Sequence, residues 1–161
     1  LLVDIRKAFF EKLRAAFAGE PLTVVAATDP GIFPTWPDNF IVQGFVPQTR
    51  LLGEMDAVIC HGGFNTVNDT FLNGLPMVIT PIAYDHFHTA ALIEKAGCGI
   101  KIRYKRLTAE GLRGATWAVL KEERYRTAAR RIRDTFIASG GNAAAVDHLE
   151  AFAWSGQVMA G

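Results

Sequence analysis

Residues 58–66 read Val58-Ile59-Cys60-His61-Gly62-Gly63-Phe64-Asn65-Thr66. An apolar run, a pair of glycines and polar residues opening a helical pattern follow the order strand, turn, helix. The first N–H groups of a helix have no partner within it and carry the positive end of its dipole. A phosphate set there gains hydrogen bonds and favourable electrostatics. Gly62 and Gly63 let the backbone approach closely. Asn65 and Thr66 bring capping-type side chains that also donate to phosphate oxygens, and His61 brings a further ring N–H. A glycine turn between strand and helix is common in α/β proteins, so on these residues alone His61 reads either as a phosphate ligand or as a structural turn residue.

The same alternation repeats on both sides of this turn. Residues 22–27 (LTVVAA), 39–45 (NFIVQGF), 57–60 (AVIC) and 77–80 (MVIT) read as strands covered on both faces, and 98–102 as a last short strand. Helical spacing places helices at 4–17, 48–55, 65–72, 85–96, 108–120, 122–137 and 143–152, with Gly97 and the Gly140-Gly141 pair as stops. In the first of these, Ile5, Phe9, Phe10, Leu13, Ala16 and Phe17 form the apolar stripe. Alternating strands and helices imply parallel strands joined by crossovers. The fold class is therefore α/β, a doubly wound, Rossmann-like parallel sheet that binds ligands outside the carboxyl ends of its strands. A free-standing unit of this type would open on a strand, whereas this chain opens on a helix. A fragment, or a unit lacking its first strand, is expected.

At 161 residues the chain reads as one domain, 1–161. Seventeen basic residues stand against sixteen acidic ones, a net charge of +1, so no global field draws the protein to nucleic acid or anionic lipid. Any anionic ligand must be held locally. Cys60 and Cys98 lie in apolar runs and read as small buried hydrophobes in a reducing, cytoplasmic setting. No apolar run approaches the roughly 20 residues that span a bilayer. Residues 122–137 carry Arg124, Arg126, Arg130, Arg131 and Arg133 beside the apolar positions Ala128, Ala129, Ile132 and Phe136. That helix reads either as a solvated face or as a surface for peripheral membrane contact or a partner.

A longer set of motifs surrounds the turn: Gly44-Phe45-Val46-Pro47-Gln48, Leu51-Leu52, Asp56-Ala57-Val58-Ile59, His61 to Thr66, Asp69, Gly74-Leu75-Pro76, Pro81 and Asp85. In this order they resemble the C-terminal donor domain of nucleotide-sugar glycosyltransferases with two facing Rossmann-like domains. This is the family 1 type with the GT-B fold. HGGFNTVND and SGGNAAAVDHLE look like the bacterial zeaxanthin (carotenoid) glucosyltransferases in particular.

The resemblance implies that Phe45 lies against the nucleotide base and Val46 offers its backbone to the base edge, with a strand-end core aromatic as the other reading of Phe45. It implies that Gln48 and Asp69 face the ribose hydroxyls, and that His61, Gly63, Asn65 and Thr66 hold the diphosphate. Asp85 and His86 would meet the sugar. Asp69 reads otherwise as a solvated helix residue, and Asp85 as the N-cap of the following helix. Three positions depart from the family: Asp69 stands where most members carry Glu, His86 where most carry Gln, and Phe64 where many plant members carry Trp.

The resemblance further implies a UDP-sugar donor, UDP-glucose first, transferred with inversion to a carotenoid or other lipophilic hydroxyl. No metal or cofactor is implied, although His61, Asp85, His86 and His88 form a candidate metal cluster on residue type. His88 and His148 read as structural or solvated. The family's general base, a His assisted by an Asp, belongs to an N-terminal acceptor domain that 161 residues leave no room for. The chain alone is therefore expected to bind donor and transfer little. Other readings are the free-standing donor half of a split N-acetylglucosamine transferase, a non-catalytic nucleotide-binding module, and an epimerase of the same architecture.

Overall fold

The computed structural model describes residues 2–155, with side chains from Lys7 to Trp154. The order is α1 (Leu2–Phe17), β1 (Val24–Ala27), β2 (Phe40–Gln43), α2 (Gln48–Leu51), β3 (Val58–Cys60), α3 (Phe64–Leu72), β4 (Met77–Ile79), α4 (His86–Ala96), β5 (Gly99–Lys101), α5 (Ala109–Lys121), α6 (Glu123–Ala138) and α7 (Gly141–Ser155). Ile5, counted above in the first apolar stripe, has its side chain outside the described residues, as do the ends of the 1–161 domain.

All strand pairs are parallel. They form two hydrogen-bonded groups, β1-β2 and β3-β4-β5. In the second group Val58, Ile59 and Cys60 lie opposite Met77, Val78 and Ile79, which lie in turn opposite Gly99, Ile100 and Lys101. One core cluster serves both groups: Phe40, with Val24 and Val42 packed against it, shares that core with Val78, Ile59 and Ile100.

β4 shows why its sequence is apolar throughout. Met77, Val78 and Ile79 are all fully buried. Side chains alternate across a strand. Val78 therefore joins Leu13, Phe17, Leu112 and Val119 of α1 and α5 on one face. Met77 and Ile79 join Val67, Phe71, Ala90, Ile93 and Ala129 of α3, α4 and α6 on the other. Each such side chain contributes about 1.5–3 kcal/mol, against about 0–1 kcal/mol for an exposed ion pair. The core, not the six surface ion pairs among the described residues, holds the fold.

Several boundaries differ from the sequence expectation. The helix read at 48–55 is a single α turn continued as a 3-10 turn at Leu52–Glu54. Gly97 does end α4, in the left-handed conformation at φ 72°. Gly140 closes the turn after α6, but Gly141 opens α7 instead of standing outside it. The β1-to-β2 crossover is a loop closed by an aromatic cluster, with Phe33, Phe40 and Phe10 around Trp36. Asn39 Nδ2 donates to the carbonyls of Phe17, Glu20 and Leu22, which ties the open end of α1 to β2.

The apolar positions of α6 are committed to the core. Ala129 is buried there, Ala128, Ile132 and Phe136 pack against it, and Phe136 meets Phe71 edge-on at 6.3 Å. Four of its five arginines pair with acids: Arg124 with Glu122, Arg126 with Asp56, Arg130 with Glu123 and Arg133 with Asp134. Among the described residues no helix is long and apolar enough to cross a membrane. Cys60 and Cys98 are free thiols. Burial pushes each up to about 11, so both stay protonated and unreactive near neutral pH.

Candidate functional site

The site is assembled where β3 and β4 end side by side, Cys60 opposite Ile79. From Cys60 the chain turns through Gly62, whose φ of 95° favours a residue without a Cβ. A Cβ on Gly62 would also lie 3.2 Å from Ile79 Cγ2 and 3.4 Å from the His86 carbonyl oxygen, so this turn rests directly on the start of α4. Gly63 has an unstrained backbone, φ −62° and ψ 134°. Its constraint is spatial, since a Cβ there would come within 2.7 Å of His61 Nε2. The His61 imidazole lies across Gly63.

α3 begins at Phe64, one residue earlier than its sequence indicates, and Gly63 occupies the N-cap position without any side-chain cap. Asn65 and Thr66 are consequently residues of the first turn and not caps. The Val67 N–H makes the first i−4 bond, to the Gly63 carbonyl at 3.1 Å. The N–H groups of Phe64, Asn65 and Thr66 have no partner within the helix by its geometry. With His61 they form a concentration of donors at the positive end of a dipole.

His61 and His86 meet edge-on, ring centroids 4.6 Å apart and planes at 62°. His61 is held below the ordinary imidazole value, chiefly by burial and then by the charge of His86, with Asp85 opposing. The Ala83 N–H donates to His86 Nδ1 at 3.4 Å, which ties the ring to the β4-to-α4 loop. Asp85 stands at the N-cap position of α4 yet makes no capping bond; its carbonyl takes the Thr89 N–H, and its side chain is exposed. The capping role read from sequence is therefore not the one it performs.

Gln48 is the pivot of a second set. Its Nε2 donates to Asp69 Oδ2 at 2.7 Å, and its Oε1 accepts from Thr66 Oγ1 at 3.4 Å. Asp69 is thus an anchored carboxylate rather than a merely solvated helix residue. Phe45 is 83 % exposed, which excludes the reading of a core aromatic; it lies beyond the end of β2 with half-buried Val46 on the way to α2. Phe64 is also exposed. Among the described residues no three His, Cys, Asp or Glu are gathered as a metal site, and His88 points into solvent on α4.

Two residues of this edge escaped the sequence reading. Tyr84 has φ 54° and is 92 % exposed, a left-handed tyrosine at the tip of the β4-to-α4 loop. Phe87 is exposed one residue after His86. Nothing in the local sequence marks either one, because neither tyrosine nor phenylalanine favours a turn. A hollow of about 300 Å³ lined by Glu11, Arg14, Ala15, Ala18 and Pro37 belongs to α1 and the loop before β2, and takes no part in this site.

Residues 15–152 match the family model described as erythromycin biosynthesis protein CIII-like, C-terminal domain. The chain belongs to this glycosyltransferase family. It is similar to 4'-demethylrebeccamycin synthase of Lentzea aerocolonigenes, 31 % identical over 147 residues, which are 91 % of this chain and 35 % of that protein. Among solved structures it is similar to the calicheamicin glycosyltransferase CalG4, with a TM-score of 0.85, 28 % identity, and coverage of 91 % of this chain and 39 % of that one. The spinosyn rhamnosyltransferase SpnG complexed with thymidine diphosphate gives 0.68 and 27 %, covering 78 % and 36 %. The chain thus spans about a third of the length of the curated relative it matches. It is a glycosyltransferase domain with the Rossmann-like fold of the GT-B C-terminal half.

Proposed function

We propose that this domain binds the nucleoside diphosphate sugar donor of an inverting glycosyltransferase, with the diphosphate at His61 and the start of α3. The observation that carries this reading is the helix start left without a side-chain cap beneath an imidazole lying across Gly63. The Gln48–Asp69 pair would take the ribose hydroxyls, Phe45 the base with the Val46 backbone at its edge, and Asp85 the sugar hydroxyls.

In the reaction, an acceptor hydroxyl oxygen bonds to the anomeric carbon from the face opposite the diphosphate, and the bond from that carbon to the diphosphate oxygen breaks. The leaving oxygen takes the electron pair. His61 and the N–H groups of Phe64, Asn65 and Thr66 face the charge it acquires; removing one donor of this kind typically costs about 10²–10³ in rate. The acceptor's proton goes to a base outside residues 1–161, in an N-terminal acceptor domain, so these 161 residues alone bind donor and transfer little. Robust transfer by this polypeptide alone would overturn that division of labour.

A UDP-sugar, UDP-glucose first, is the preferred donor because an anchored Asp69 rewards both ribose hydroxyls, and a deoxyribose lacks one of them. The motif likeness to carotenoid glucosyltransferases supports a lipophilic acceptor. A thymidine diphosphate sugar is the second reading, supported by a solved relative complexed with that nucleotide. Calorimetric titration with UDP- and TDP-glucose separates them. We expect UDP-glucose to bind more tightly and D69A to remove the difference; equal affinities in the wild type would favour the second reading.

A further inference from the structure

One residue of this edge stands in a conformation that its own side chain opposes. Tyr84, with φ 54°, is the one non-glycine residue of positive φ among the described residues. In the left-handed region the Cβ of an L-residue crowds the carbonyl oxygen, so tyrosine carries a cost there that glycine would not. The turn asks for glycine on a second count. The His86 N–H donates to the Ala83 carbonyl at 3.2 Å, closing a turn in which Tyr84 is the first central residue and Asp85, at φ −67° and ψ −15°, the second. Turns with positive φ at the first central residue alone are dominated by glycine.

Nothing in the fold repays this cost. The Tyr84 side chain is 92 % exposed and enters neither core cluster. The loop itself is firmly set: the Ala83 N–H donates to His86 Nδ1, the Thr89 N–H to the Asp85 carbonyl, and Gly62 packs against the backbone and Cβ of His86. The surroundings thus fix a strained backbone that holds an aromatic ring out from the edge, an arrangement that clusters at ligand sites.

We propose that Tyr84 is a specificity-determining residue of the donor site, its aromatic face receiving the pyranose ring of the sugar whose hydroxyls Asp85 takes. The inference rests on the donor reading above and extends it to the apolar face of the sugar. The placement suits the role. Tyr84 is two residues, about 7 Å at most, from His86, whose ring meets that of His61 at 4.6 Å. A hexose joined to a diphosphate at His61 reaches into this loop.

The chemistry suits it as well. A hexopyranose carries hydroxyls at its rim and C–H groups on its faces. The electron-rich face of a tyrosine ring attracts those positively polarised C–H groups, while the neighbouring carboxylate accepts from hydroxyls. Tyr84 and Phe87, both exposed, bracket Asp85 and His86, so four consecutive residues present apolar faces and hydrogen-bonding groups side by side. A nucleoside diphosphate without its sugar has nothing to place against the ring.

The test is calorimetric titration of UDP-glucose and of UDP into the whole chain, in the wild type, Y84G, Y84L and Y84F. TDP-glucose and TDP are run in parallel, so that the choice of base does not decide the outcome. Glycine accepts φ 54°, so the melting temperature of Y84G should not fall. We expect Y84G and Y84L to weaken the nucleotide sugar about fivefold, the scale of one aromatic contact, and to leave the free nucleotide unchanged. Y84F keeps the ring and should bind both as the wild type does. Equal changes for sugar nucleotide and free nucleotide, or no change in Y84G, overturn the inference and leave the donor reading standing. A loss in Y84F as large as that in Y84G assigns the role to the phenol oxygen and overturns the ring contact. A Y84G melting temperature lowered by several degrees puts the side chain in the service of the fold and overturns it too. Absence of binding of all four ligands by the wild type sinks both.

Discussion

Two helices of this domain start in opposite ways. α5 begins at Thr108, whose Oγ1 accepts the Gly111 N–H at 3.0 Å, with Glu110 in its first turn. Its N-terminus is satisfied by its own residues. α3 begins at Gly63 with no side-chain cap and no acidic residue in its first turn. α4 goes further, since Asp85 has a capping side chain in the capping position and does not use it. A helix start completed within the chain does structural work. The open start of α3, beside a glycine turn at the carboxyl edge of the sheet, is the one we propose to hold the diphosphate.

The contrast breaks most readily at Gly63. Its backbone suits any residue, but alanine is a poorer N-cap than glycine, so G63A should cost about 0.5–1 kcal/mol of stability. The added Cβ would displace the His61 ring, which lies 2.7 Å from it. We expect UDP affinity to fall about 100-fold, or about 2.7 kcal/mol, by calorimetry, with the melting temperature lowered by only a few degrees. Unaltered affinity would show that the open start of α3 and the ring over it are not a ligand site.

Gly62 sharpens the comparison from the structural side. With φ at 95° and a future Cβ 3.2 Å from Ile79 Cγ2, G62A should cost about 2 kcal/mol of stability in urea unfolding. Adjacent glycines should thus fail differently, the first through folding and the second through binding. The smallest effect belongs to α5: T108A should remove about 1 kcal/mol of stability and leave UDP affinity untouched. A loss of binding in T108A would mean that the two helix starts are energetically one system.

Much of this was legible from residue type and spacing. β4 stood out as an apolar run because a strand buried on both faces can carry no polar side chain, as Met77, Val78 and Ile79 illustrate, whereas β2 turns Ile41 and Gln43 to solvent. Gly97 announced the end of α4 because the left-handed turn there excludes most other residues. The strand–glycine–helix order of residues 58–66 marked the turn at Gly62 for the same steric reason. Less legible were the roles of side chains whose partners are distant in sequence. Gln48 and Asp69 are joined by a bond across 21 positions. Ala129 of α6, with Ala128, Ile132 and Phe136 beside it, joins α3 and the β4 core, a docking that its periodicity alone does not assign.

The division between the two levels of information is physical. Local sterics and periodicity belong to a few consecutive residues, so the order of strands and helices, the parallel sheet and the location of the glycine turn between β3 and α3 follow from the chain read in one dimension. Contacts between elements do not. The packing of Gly62 onto α4, the pairing of His61 with His86, the unused cap at Asp85, the left-handed Tyr84 and the exposure of Phe45 arise only when β3 and β4 lie side by side and bring two separate loops to one edge. The resulting arrangement sets the His61 and His86 rings edge-on at the carboxyl edge of the sheet.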